Sequence, residues 1–161
     1  MSWTTLLYTI TLWAAIGIFV IDFKHFLIPD SMILSIFVSG GVASYMGLTE
    51  HSFWVSMISS IISMITMYLI GKAYSRYRGY EVLGFGDVKL IGAFVMWLGP
   101  MGAPLVFVYS VLGMTMLFMG NVFERDEDIP KNAIPYGPIL IIGFFVAMLC
   151  SSQLNLGVYM P

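Results

Sequence analysis

The sequence predicts an all-α integral membrane protein of six transmembrane helices, with both termini outside. Three observations predict it. Of 161 residues, 59% are hydrophobic and 10% charged, with a mean hydropathy of +0.90; a soluble domain carries about 25% charged residues. The charges divide the chain into uncharged intervals close to the roughly 20 residues that span a bilayer as a helix. When six spans are counted, all seven Lys and Arg residues fall on one side, which the positive-inside rule makes cytoplasmic.

Composition also excludes several classes. With 16% aromatic residues and so much apolar bulk, the chain cannot remain solvated and disordered. A net charge of −2 with seven Lys and Arg residues leaves no basic face for nucleic acid. Cys150 is the lone cysteine, and His25 and His51 are the two histidines. No disulfide framework and no metal site of Cys or His ligands is expected, and no cofactor.

The elements follow in order. Met1 to Ile21, Ser31 to Thr49 and Ser52 to Gly71 carry no charge. The first lacks a positive n-region and a small-residue cleavage pattern, so it reads as a retained helix rather than a signal peptide. Leu90 to Phe123 is a longer uncharged run, interrupted by Gly99-Pro100-Met101-Gly102-Ala103-Pro104, a turn-forming string that splits it into two helices. The sixth span lies from near Pro135 to about Ser152. The ten residues from Leu90 to Gly99 cover about 15 Å as a helix, half a bilayer. The fourth helix must therefore start earlier and take Asp87 and Lys89 in with it. Lys72 to Gly86 and Asn121 to Ala133 are the long inner loops, and 1–161 reads as a single membrane-embedded domain.

Carboxylates at membrane depth are costly and mark function by default. Asp22 follows the first uncharged helix, at its cytoplasmic end. Asp87 stands in Gly84-Phe85-Gly86-Asp87 at the start of the short helix, at the same depth and on the same side. Two carboxylates sharing one site cannot comfortably both ionise, so the pair can hold one proton. The ionised member can draw a proton from water while the neutral one hydrogen-bonds a substrate carbonyl. That is the chemistry of peptide hydrolysis by an aspartyl pair. Structural readings stand beside it: Asp87 as the N-cap of helix four, and Asp22 as an anchor paired with Lys24 or Lys89. Asp30, after Pro29 and before an apolar run, reads as a helix N-cap. Gly84 and Gly86 leave the backbone open to close approach by another chain.

Gly84-Phe85-Gly86-Asp87-Val88-Lys89-Leu90 resembles the GxGD-x-K-L signature of the type IV prepilin peptidases, a family of intramembrane aspartyl proteases. Asp22-Phe23-Lys24 followed by Ile28-Pro29-Asp30 is similar to that family's other aspartate region. Ile134-Pro135-Tyr136-Gly137-Pro138 is similar to a family element that opens the last helix. The resemblance covers nearly the whole chain. It implies Asp22 and Asp87 as the catalytic pair, with Gly84, Gly86, Lys89, Lys24 and Pro29 as supporting motif residues and no metal. One departure is Asp30, where the family commonly has Asn. The chain has neither the cysteines nor the length of the methyltransferase-bearing members, and so resembles the short, peptidase-only branch of tight-adherence pili or its archaeal preflagellin relatives.

The resemblance further implies a prepilin substrate with a basic leader, cleaved at the cytoplasmic face of the inner membrane by a multi-pass protein that also meets membrane lipid. The acidic run Glu124, Asp126, Glu127 and Asp128 is a candidate contact for that leader, beside its plainer reading as a solvated loop. The competing readings are a small proton-coupled transporter and a non-catalytic membrane subunit of a secretion or pilus assembly. A transporter site is expected near the midplane, whereas both acids are expected near the cytoplasmic face.

Overall fold

An apolar helix continues until its last carbonyls find other partners, and the helix ends here sit where the sequence supplies them. The computed structural model describes residues 2–79, 83–119 and 136–153, and among them there are six α-helices and no strand. Helix α1 spans Trp3–His25. The Ser2 hydroxyl accepts the Thr5 amide at 3.2 Å as its N-cap. It ends at Phe26, whose left-handed φ of 54° turns its amide back to the Asp22 carbonyl. Asp22 therefore lies inside the last turn rather than after it, because Lys24 and His25 extend the helix where cations suit its negative end.

Helix α2 spans Asp30–Tyr45 with Pro29, extended, at the N-cap position. Asp30 is thus the first helical residue and not the cap that its place after a proline suggests. Helix α3 spans Phe53–Arg78 and stops at Gly79, φ +79°. It takes Lys72 and Arg76 into the helix, which shortens the expected loop from Lys72 to Gly86 to the few residues before Gly84. Basic residues are good helix formers, and nothing before Gly79 breaks the run.

Helix α4 spans Phe85–Leu98, and so contains Asp87 and Lys89 as the length argument requires. A 3-10 turn, Gly99–Met101, separates it from α5, Gly102–Met119. Helix α6 spans Tyr136–Gln153. Phe144 stacks on Phe94 with ring centroids 4.2 Å apart, while its neighbour Gly143 lies against Val106. A continuous helix would hold residues 94 and 106 about 18 Å apart along its axis. The chain therefore reverses at the turn, where Gly99 takes a φ of +68°.

Contacts set the remaining directions. Thr11 bonds Ser39 and Gly17 backs onto Met32, so α1 and α2 are antiparallel. Ser60 donates to the Gly92 carbonyl and Tyr68 meets Phe85, so α3 and α4 are antiparallel. Lys89 meets Asp30 and Trp97 meets Gly40, so α2 and α4 run parallel. The six helices alternate in direction, and the starts of α2, α4 and α6 share one end with the last turn of α1.

Trp3–His25 and Phe53–Tyr77 are each long and apolar enough to cross a membrane, and the stretch Phe85–Ser110, which holds the turn, is as apolar; together they mark an integral membrane protein. Helix α4 is the centre. Leu90, Ala93, Phe94, Val95 and Met96 are fully buried, and α2, α3, α5 and α6 all pack on it. Helix α3 is the opposite case, with Trp54, Ile58, Ile62 and Ile65 exposed. Because lipid is as apolar as a leucine side chain, association rests on close packing and interhelical hydrogen bonds, such as Trp97 Nε1 donating to the Ile36 carbonyl at 3.2 Å.

Candidate active site

Asp22 enters from the last turn of α1 and is only 4% exposed. Its Oδ2 accepts the backbone N–H of Gly137 at 2.9 Å, across 115 positions of sequence. Gly137 is the second residue of α6, and the first amides of a helix have no partner within it. The carboxylate of one helix therefore occupies the anion position at the N-terminus of another. A Cβ on Gly137 would stand 2.7 Å from Asp22 Oδ2 and 3.1 Å from Cγ. Only glycine lets α6 come this near.

Asp87 is the third residue of α4, whose N-cap is Gly84. Its carboxylate lies against Gly84, where an added Cβ would stand 3.1 Å from Oδ2, the approach of third residue to N-cap seen in a capping box. The capping alternative thus holds in part, from a different position than a true N-cap. The charge of Asp22 acts on the same carboxyl, and the Asp87 charge in turn acts on the half-buried phenol of Tyr136. Asp22 bonds Gly137 directly, Asp87 lies within reach of the Asp22 charge, and Tyr136 lies within reach of the Asp87 charge. The helices explain why: α1 packs on α2 and α6, and α4 packs on those same two helices.

The anchor alternative for Asp22 does not match the contacts. Lys89 turns to Asp30 instead, donating to Oδ1 at 2.8 Å and Oδ2 at 2.9 Å, and Lys24 is exposed in the last turn of α1. Gly86 faces Ile28, which would be 3.3 Å from an added Cβ, so the segment around Pro29 lies against the first turn of α4. Glu124, Asp126, Glu127 and Asp128 lie outside the described residues. Among the described residues no three His, Cys, Asp or Glu side chains gather as metal ligands.

Sequence reasoning did not assign Tyr136 and Gly137 to the site. The signal was present: Ile134-Pro135-Tyr136-Gly137-Pro138 opens a helix that, by alternation, must begin at the aspartate end. Chemically, two carboxyl groups with an amide donor on one of them can exchange a proton with a water held between them.

A model of the type IV leader peptidase family matches residues 9–119. The chain belongs to that family. Among curated relatives, the family resemblance extends to a prepilin leader peptidase/N-methyltransferase of Aeromonas hydrophila, 29% identical over 154 residues, or 96% of this chain and 52% of the relative. A protein of the same name from Pectobacterium carotovorum subsp. carotovorum is 33% identical over 133 residues, 81% of this chain and 46% of the relative. One from Legionella pneumophila is 29% identical over 140 residues, 86% and 48%. The chain spans about half the length of these family relatives. No solved structure matches it.

Proposed function

We propose that this protein is an intramembrane aspartyl endopeptidase that removes the basic leader from prepilin-like precursors at the cytoplasmic face of the inner membrane. The observation that supports the reading is that Asp22 accepts an amide at the start of α6 while its charge acts on the Asp87 carboxyl. The relatives' names join a leader peptidase to an N-methyltransferase; the proposal takes up the peptidase step alone, because paired acids suit hydrolysis. The alternating helices and the one-sided Lys and Arg residues support the proposed six spans with both termini outside. That topology makes the aspartate end cytoplasmic.

In the proposed reaction one carboxylate removes a proton from water while the neutral carboxyl hydrogen-bonds the scissile carbonyl. The hydroxide equivalent adds to that carbon, and the tetrahedral intermediate collapses as a proton passes from the pair to the departing amine. The Gly137 amide holds Asp22 at Oδ2 and so restricts the direction of the remaining lone pairs. A groove of about 490 Å³ beside the first turn of α4 is lined by Lys72 and Arg76 with Tyr68 and Phe85. Its positive charge disfavours a basic leader, which leaves the acidic run from Glu124 to Asp128 as the proposed leader contact.

Purified protein in detergent, incubated with a prepilin, is expected to release a leader-shortened product whose mass places the cut. Cleavage is expected to continue in EDTA, since the pair supplies both acid and base. Loss of cleavage in chelator, restored by zinc, would overturn the aspartyl mechanism.

A further inference from the structure

Asp22 and Asp87 sit on helices that reach each other through α2 and α6, so their spacing depends on what ties those helices together at the aspartate end. On the α6 side the tie is the Gly137 amide. On the α2 side two contacts fall on the first turn of α4. Ile28 lies against Gly86, and Asp30 takes both of its carboxylate oxygens to Lys89 Nζ, at 2.8 and 2.9 Å. Asp87 lies between Gly86 and Lys89 in the chain. The ammonium also stands 4.9 Å from the centroid of the Phe85 ring. That ring meets Tyr68 of α3 edge-on at 6.3 Å, and Lys72 lies over the Tyr68 ring. One continuous tie therefore runs from α2 through α4 to α3, around the residue that presents Asp87.

We propose that Asp30 and Lys89 are positioning residues, a clasp that sets the distance between the Asp22 and Asp87 carboxyl groups. The proposal rests on the aspartyl reading only for its kinetic consequence. Asp30 is 72% exposed and Lys89 33%, and an exposed ion pair adds at most about 1 kcal/mol of stability. A purely structural role therefore has little to act through. Geometry is a different matter, since about 1 Å of misplacement at a reacting group can cost about a hundredfold in rate. The side chain of Lys89 does not share the face of Asp87, because residues two apart are turned about 200° around the helix axis. Its action is through the backbone of that turn.

The test uses the full-length protein in detergent. Lys89→Met and Asp30→Ala are expected to lower kcat about tenfold while KM moves less than about twofold and the melting temperature barely changes. The exchanged pair Asp30→Lys with Lys89→Asp is expected to recover most of the lost kcat. A second readout needs no activity: with Cys150→Ser, Asp22→Cys and Asp87→Cys, a short thiol cross-linker is expected to join positions 22 and 87 several-fold more slowly once Lys89→Met is added. Full kcat in both single variants, an exchanged pair as impaired as they are, or an unchanged cross-linking rate would overturn the clasp. If the wild type cleaves no prepilin, the peptidase reading fails and the cross-linking rate alone decides on the clasp.

Discussion

At the end of the bundle away from the aspartates, Ser44 donates to the Met96 carbonyl and takes the Thr49 hydroxyl, and Ser56 lies within 3.3 Å of it. Asp22, at the other end, has two carboxylate oxygens and, among the described residues, the Gly137 amide as its hydrogen-bond donor. A hydroxyl with one proton and two lone pairs is used up by such a network, whereas a carboxylate accepts about four hydrogen bonds. At the first end the serine and threonine hydroxyls close into packing, although His51 Nε2 beside them is buried without a partner among the described residues. The other keeps acceptor capacity at a place where leaving it open is costly. That difference separates a group that holds helices together from one that is available to a substrate.

The sharpest way to break the comparison is at the acids. Asp22→Asn and Asp87→Asn keep side-chain volume and remove the exchangeable proton, so each is expected to lower prepilin cleavage about a thousandfold or more. Melting temperature in detergent should stay close to wild type. Next in size is Gly137→Ala, whose new Cβ would crowd Asp22 Oδ2. Cleavage is expected to fall about ten- to a hundredfold through misplacement, with α-helix content by circular dichroism unchanged. Away from the acids the effect moves from turnover to stability. Ser44→Ala and Ser60→Ala each remove an interhelical hydrogen bond. They are expected to lower stability by about 0.6 kcal/mol, and by less than about 2 kcal/mol, in a denaturant titration, with turnover intact. Smallest is Lys24→Ala. The residue is exposed in the last turn of α1, and turnover is expected to stay within about twofold of wild type.

The sequence was informative where chemistry forces one outcome. The ten residues from Leu90 to Gly99 are too few to cross a bilayer, which already puts Asp87 inside α4. The glycines and prolines from Gly99 to Pro104 demand the observed turn. Exposure was not legible. Helix α4 is apolar around its circumference, and the face that α3 buries carries Ser56, Ser60 and Ser63 rather than large apolar residues, so hydrophobic periodicity does not say that α4 is enclosed and α3 faces outward. Nor was the partner of a charge legible. Lys89 could reach acids on either side of it in sequence, and its choice of Asp30 depends on α2 and α4 running parallel. Gly137 carries no side chain to attract notice, and its part is played by a backbone amide whose position only the packing of α6 on α1 reveals.

The shared site of Asp22 and Asp87 is tested most directly by distance. With Cys150→Ser as background, Asp22→Cys and Asp87→Cys should be joined by a thiol cross-linker of about 5 Å span. A control pair, Asp22→Cys with Ser44→Cys, should not be joined: Ser44 lies at the other end of α2, about 20 Å along its axis from Asp30. Rapid intramolecular linkage of 22 to 87, and none to 44, is the result the account predicts. Positions 22 and 87 that stay more than about 15 Å apart, with and without prepilin, would contradict it.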